Sequence, residues 1–447
     1  MPVPVASPAP PIVRTPSPPA VRDRYIDLLR GVAILFVAIG HWLVVVPTFE
    51  GGHFDGVNAL GTVPAMRQLT WIFQVMPLFF IVGGYANGIS WRGASRKGTT
   101  YAMWLRTRLV RLMRPSLALL GVWVALGVVL RAAGIDPQLV HTMAWLVVVP
   151  LWFLAVYVIV VAAAPALHRA HERWGVGVLV VLAVLAVVVD WLRIGVGVDG
   201  VEYTNFFWVF LFAQQLGFFW LDGRLDHRRW MPPALFAGGL LALWLLTHVG
   251  PYPISMVGVP GESIANNAPP TITLLALGLA QAGFALMLRR PVTQWLERRR
   301  VWSGVIAVNA HAMTIHLWHF TALIIVSVVV LPLGIVPVHA TGSFGWWAVR
   351  VAAVVAFTVP LVALVAVFGR VERKGLLVPA VDTSASASTG WMTARMIAAT
   401  GLLAAMFLVV TLNGLSIVDG PAGLPVTALV LGALGVYCLG RTPTPQA

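Results

Sequence analysis

Residues 24–41 read RYIDLLRGVAILFVAIGH, an apolar run long enough to continue into a membrane span over 25–46, yet it holds Asp27, Arg30 and His41. A charged side chain at the centre of a membrane helix costs roughly 2.5–3.5 kcal/mol on insertion scales, so such residues are functional candidates by default. Their spacing sharpens the case. On a helix of 3.6 residues per turn, Arg30 and His41 lie about 20° apart around the axis, and Asp27 and His41 about 40° apart. The three share one face, and that face calls for protein or water rather than lipid.

Composition extends this reading to the whole chain. Of 447 residues, 59% are hydrophobic and only 10% charged, far from the balance of a soluble domain. Apolar runs of about 20 residues recur, which defines a polytopic membrane protein of the all-α class. The formal charge of +14 does not indicate nucleic acid, because the basic residues sit in short clusters between apolar runs. That is the positive-inside pattern of cytoplasmic loops. The single cysteine, Cys438, lies in the last apolar run and excludes a disulfide framework or a cysteine metal site. The first run lacks an A-x-A cleavage site and reads as a retained helix.

Twelve spans are expected, near 25–46, 71–90, 115–132, 143–163, 175–193, 205–221, 231–249, 271–288, 303–330, 346–368, 395–413 and 421–440. The connectors 92–114, 168–173, 222–229, 289–300 and 369–375 are basic, whereas the alternate ones are rich in Gly, Pro and acids. Unbroken alternation puts both termini in the cytoplasm. Residues 1–20 are Pro-rich and read as a disordered tail. Residues 21–376 form a ten-span unit, 377–394 a Ser/Ala/Thr linker, and 395–441 an appended two-span hairpin.

Three groups of residues bear on chemistry. His41, about 21 Å along the helix from Asp27, lies past the midplane of the bilayer. It reads as a general base or transient acyl acceptor, the alternative being a structural histidine between helices. Arg108, Arg111 and Arg114 follow one another at three-residue spacing and are expected along one helical face. Guanidinium forks grip phosphate, although ordinary positive-inside anchoring explains the same run. In NAHAMTIHLWHF, Asn309, His316 and His319 suit polar packing or substrate lining. The pair His316 and His319 lacks a correctly spaced carboxylate, so no metal is expected. Gly83 and Gly84 suggest close helix approach. Trp152 reads by default as an aromatic-belt residue.

Together these segments resemble the acyltransferase-3 family of integral membrane acyltransferases. The carriers of the resemblance are D27-L-L-R30-G-x-A-I-L-x-V-x-x-x-H41, P77-L-F-F-I-V-G-G-Y85, Arg108 and Arg111 before Pro115, Trp152-Phe153-Leu154, and His316-Leu317-Trp318-His319. Gly83 stands where the family commonly has Ser, and His316 where it has Tyr. The resemblance covers residues 22–375. It implies acyl transfer, commonly acetyl from acetyl-CoA as co-substrate, to a hydroxyl of a carbohydrate, glycolipid or other small acceptor at a bacterial cytoplasmic membrane. It also implies His41 as the catalytic histidine and Arg108 and Arg111 as donor-binding groups, with Arg114 beside them and Asp27, Arg30, Trp152, Asn309, His316 and His319 in support. The rival reading is a twelve-span transporter or exporter, since intramembrane charges also line transport paths.

Overall fold

The computed structural model describes residues 23–51, 53–373, 389–418 and 423–440. The Pro-rich tail over 1–20 and residues 377–388 of the expected linker lie outside the described residues. The described chain is a helical bundle, and its one sheet there is a two-stranded hairpin.

The elements follow in order. Helix α1 (Arg24–Val44) runs into β1 (Val45–Glu50) and β2 (His53–Asn58), which pair antiparallel with Val45 opposite Asn58. Short α2 (Ala59–Thr62) and α3 (Met66–Phe73) lead to α4 (Met76–Arg96) and α5 (Tyr101–Ala132). Then come α6 (Pro137–Val148), α7 (Trp152–Trp174), α8 (Val176–Asp190), α9 (Asn205–Leu221) and α10 (Met231–His248). The remainder is α11 (Thr273–Trp295), α12 (Arg299–Ala310), α13 (Ala312–Val330), α14 (Phe344–Arg373), α15 (Thr389–Asn413) and α16 (Val426–Leu439).

Each of the twelve expected spans overlaps a helix. Nine helical stretches of the described residues are long and apolar enough to cross a membrane; α9, α11 and α16 fall outside that set. Helix α9 has 17 residues and α16 has 14, against about 20 for a full crossing. Three expected spans are broken, the one over 71–90 at Gln74 and Val75 between α3 and α4. Pro150 separates α6 from α7, because proline cannot donate to the preceding turn. His311, at φ −125°, separates α12 from α13. The β1–β2 hairpin and α3 were not expected; they occupy what reads in sequence as a plain outer connector.

Helix α1 packs against α4, α12 and α13, so it lies inside the bundle. The outer faces are apolar: Val180, Val184 and Val187 on α8, and Val351, Val355 and Val362 on α14, are exposed. A helix apolar on every side belongs in lipid or in a core.

Ionic contacts latch one end. Arg289 bridges Asp23 and Asp226, each at 3.2 Å. Arg92 meets Asp222 at 2.6 Å and donates to His168 at 2.9 Å. His171 joins Asp222 at 2.9 Å and Gln215 at 2.7 Å. Burial pushes the Asp222 carboxyl up, but the hydrogen bonds from His171 and Arg92 outweigh it and hold the group below its usual range. All these residues except Gln215, which lies within α9, belong to the basic connectors or helix ends beside them. The other end is closed by Arg67 with Glu262 at 3.0 Å, and by Trp71 and Gln74 donating to the carbonyls of Ile254 and Met256.

Close packing of α4 on α9 depends on Gly84 and Gly217. A Cβ at Gly84 would lie 2.1 Å from the Gln214 carbonyl oxygen, and one at Gly217 would lie 2.1 Å from that of Ile81. Gly83, by contrast, faces only the Tyr157 ring, at 3.8 Å. Gly84→Val therefore destabilises the bundle by about 3 kcal/mol or more, since backbone cannot move aside as a side chain does. Gly83→Ala leaves stability within about 0.5 kcal/mol. Thermal unfolding of the detergent-purified variants checks both, and equal melting temperatures for the two would contradict the packing.

Candidate active site

His41 occupies the last turn of α1, and α13 brings His319 against it. His41 Nδ1 and His319 Nε2 are 2.9 Å apart, with the rings stacked at a centroid distance of 5.1 Å. His319 Nδ1 lies 2.6 Å from the His316 carbonyl oxygen, one turn back on α13. These contacts assign the tautomers. A carbonyl only accepts, so His319 carries its proton on Nδ1 and offers the Nε2 lone pair. His41 then donates from Nδ1 and keeps the lone pair on Nε2. The arrangement makes His41 a base whose second nitrogen is orientated by a neighbouring acceptor, as in nucleophile–base–orienter sets.

His41 lines two cavities. One, of about 280 Å³, lies between the end of α1, α3 and the 250–270 segment. Gln74, Thr70, Asn58, Asn267, Trp152 and His316 contribute to its walls. The other, of about 550 Å³, lies between the hairpin, α6 and the outer half of α13. His316 is buried against Phe153, ring to ring at 5.4 Å, and its Nε2 has no hydrogen-bond partner. Among the described residues no three His, Cys, Asp or Glu side chains are grouped as metal ligands.

Asp27 and Arg30 form a different unit. They pair with each other at 3.1 Å, and Arg30 Nε donates to Asn309 Oδ1 at 2.7 Å. Asn309 Nδ2 donates in turn to the Asp27 carbonyl at 2.8 Å. This knot fastens the start of α1 to α12, well away from His41. Asn309 is thus separated from His316 and His319 by the break at His311.

The arginines expected on one face part company. Helix α5 begins at Tyr101, so the run is helical and continuous with the span. Three-residue steps drift by about 60° each, so Arg108 and Arg114 end up about 120° apart. Arg111 and Arg114 are exposed, whereas Arg108 turns inward, stacking on Trp104 at 4.5 Å. Arg108 Nε is buried without a partner. Tyr157 lies within electrostatic range of Arg108 and stacks on Phe153 at 5.4 Å, and Phe153 in turn packs against His316 at 5.4 Å. Arg106 donates to the carbonyls of Leu439 and Gly440, capping the end of α16.

Trp152 is not a belt residue. It opens α7, packs near Phe206 and Phe210, and lines the smaller cavity. Gln214 and Gln215 serve packing, bonded to Asn87 and His171. Sequence reasoning missed Arg350, the one basic residue of the apolar run 344–368 and placed against the positive-inside pattern, which was the available signal. Arg350 is buried and donates from Nη2 to the carbonyls of Trp42, Leu43 and Val45, beside His41. Glu372 was missed as well; it accepts from the backbone of Met313 and Thr314 and caps α13.

A polytopic helical protein with a tautomer-locked histidine pair, His319 buried and His41 facing two cavities, is the class these features define. A family model described as an acyltransferase domain, that of the acyltransferase-3 family, matches residues 23–366, and the chain belongs to this family. The match stops inside α14, so α15 and α16 lie beyond it. Neither the curated proteins nor the solved structures searched contain a match.

Arg350 satisfies the carbonyls that the end of α1 leaves open. Arg350→Met lowers unfolding stability by about 1–3 kcal/mol, the usual consequence of orphaned buried acceptors. Arg350→Lys restores only part of it, because an ammonium does not reproduce the fork. Melting curves in detergent test the pair, and wild-type melting of the Met variant would exclude the latch.

Proposed function

We propose that this membrane protein transfers an acyl group, acetyl in the simplest case, from acyl-CoA to a hydroxyl acceptor. The observation that carries the reading is the His41–His319 pair, which leaves the His41 Nε2 lone pair available beside two cavities. His41 Nε2 takes the proton of the acceptor hydroxyl. The alkoxide oxygen attacks the thioester carbonyl, the carbon–sulfur bond breaks, and the CoA thiolate leaves with the proton from the imidazolium. His319 acts as a positioning residue: its Nε2 holds the His41 ring and favours the charge that develops on it.

The donor docks at the Arg108 end. Its phosphates are polyanionic, and the unpartnered Arg108 Nε, with exposed Arg111 and Arg114 nearby, supports an anion site there. The aromatic column of Tyr157 and Phe153 gives the thin pantetheine arm an apolar route toward His316. The acceptor is a carbohydrate, a glycolipid or another alcohol. We further propose the bacterial plasma membrane as the location, with both termini cytoplasmic, and residues 21–376 as the acyltransferase unit with 395–441 appended to it.

The test is acyl-CoA-dependent release of free CoA by the purified full chain in liposomes. His41→Ala reduces it about 10²–10⁴-fold, the usual worth of a general base. His319→Phe, which removes the acceptor for His41 Nδ1, reduces kcat with little change in the KM for acyl-CoA. Arg108→Ala raises that KM about tenfold, the effect of losing one charged contact. Undiminished CoA release by a folded His41→Ala variant would sink the proposal, and solute movement across the vesicle with no CoA release would favour transport.

A further inference from the structure

The two cavities that meet at His41 differ in chemistry. The smaller is lined by amide, hydroxyl and imidazole groups together with apolar ones. The larger has hydrocarbon walls: Leu139, Met143 and Leu146 of α6 face Leu323, Ile324 and Val328 of α13. Its polar groups are His41, Asn58 and Asp55 from α1 and the hairpin; on the helical walls the Thr142 and Ser327 hydroxyls and the Trp145 indole N–H are already bonded to the carbonyls of Gln138, Leu323 and Thr411. About 550 Å³ is within the span of small-molecule sites, roughly 300–1,000 Å³.

The far side of this cavity faces the surroundings of the bundle. Trp145 and Val328, on opposite walls, are 41% and 44% exposed, and Ile325 beside them is 40% exposed. Helix α13 is apolar nearly throughout this half, so the seam between α6 and α13 opens where lipid chains lie. Water filling such a space would find few partners. A hydrocarbon chain moves from bilayer into cavity without leaving an apolar medium.

We infer that this cavity holds the hydrocarbon chain of the acceptor, which is a lipid-borne alcohol. Its hydroxyl-bearing head sits at His41 and its chain leaves between α6 and α13. The inference rests on the acyl-transfer reading and names the acceptor class for it. The chain belongs to the acceptor rather than to the donor acyl group for a positional reason. The aromatic row of Tyr157 and Phe153, with Tyr157 in electrostatic range of Arg108, ends at His316, which lines the smaller cavity and not the larger one. The donor thioester thus arrives on the polar side and leaves the apolar side to the other substrate.

The probe is a dodecyl glycoside carrying a diazirine at the end of its chain, given to the full chain in lipid nanodiscs and irradiated. Labelled peptides are mapped by mass spectrometry. Labelling is expected on 139–149 and 320–328, displaced by excess dodecyl glycoside but not by methyl glycoside. Leu146→Trp, which fills the cavity, lowers it about tenfold. Val328→Trp, at an exposed position of the seam, does the same with less demand on folding. In turnover with acetyl-CoA, the wild type prefers dodecyl over methyl glycoside in kcat/KM about tenfold, and Leu146→Trp removes the preference. Labelling elsewhere, labelling insensitive to both variants, or displacement of the probe by long-chain acyl-CoA in place of the glycoside would overturn the inference. Labelling needs no turnover, so the two readings fail separately. Localised labelling together with full CoA release by His41→Ala would refute the catalytic reading and leave the chain site standing.

Discussion

The hydrogen bond between His41 and His319 is the contact on which the site depends. An imidazole has two nitrogens and, when neutral, one proton, so its chemistry is undefined until a neighbour fixes the proton. Here the order is set from the backbone outward. The His316 carbonyl accepts from His319, His319 accepts from His41, and the free lone pair falls on His41 Nε2. Two helices distant in sequence must hold register for this to work. Helix α1 is fixed at one end by the Asp27–Arg30–Asn309 knot and at the other by Arg350 on its last carbonyls. Helix α13 starts at the break after α12 with Glu372 on its first amides. The pair is held by restraints on both sides of a membrane-sized span rather than by any one strong interaction.

Those restraints follow from the solvent. Within hydrocarbon an unpaired backbone or side-chain polar group is costly, so helix ends inside the bundle need partners from elsewhere in the chain. Arg350, Arg106 and Glu372 are such partners, each a charged group on the carbonyls or amides of another helix. For Arg350 this explains a charge that lies in an otherwise apolar run without any role in chemistry. It also separates His41, whose ring serves no helix end, from the polar residues that do.

Much of this was legible in sequence because hydrophobic periodicity is local. Twelve apolar runs became helices, and the ion pair of Asp27 with Arg30 follows from i, i+3 spacing. What could not be read depends on distant partners. Asn309 and His319, ten residues apart, serve opposite ends of α1 because the chain breaks at His311, a break no proline marks. The shared face of Arg108, Arg111 and Arg114 failed for a plain geometric reason, since a three-residue step falls short of a full turn and the drift accumulates. Trp152 lines a cavity instead because it opens α7 just after the turn at Pro150 and packs near Phe206 and Phe210. The cavities needed the hairpin and α3, which fill an outer connector whose sequence carries little periodicity.

The atoms left unsatisfied are as informative as those that are paired. Several buried orphans belong to groups already bonded through another atom: Asn205, Gln215, Glu262 and Arg350 each have a partner elsewhere on the side chain. Arg108 Nε and His316 Nε2 differ in position, one at each end of the column formed by Tyr157 and Phe153. Leaving a buried donor or acceptor open costs about 1–3 kcal/mol, more when the group is charged. Elsewhere the chain closes helix-end carbonyls with arginine, Arg350 on Trp42, Leu43 and Val45 and Arg106 on Leu439 and Gly440. Open atoms at Arg108 and at His316, with His41 beyond the second, are what the proposed donor path calls for.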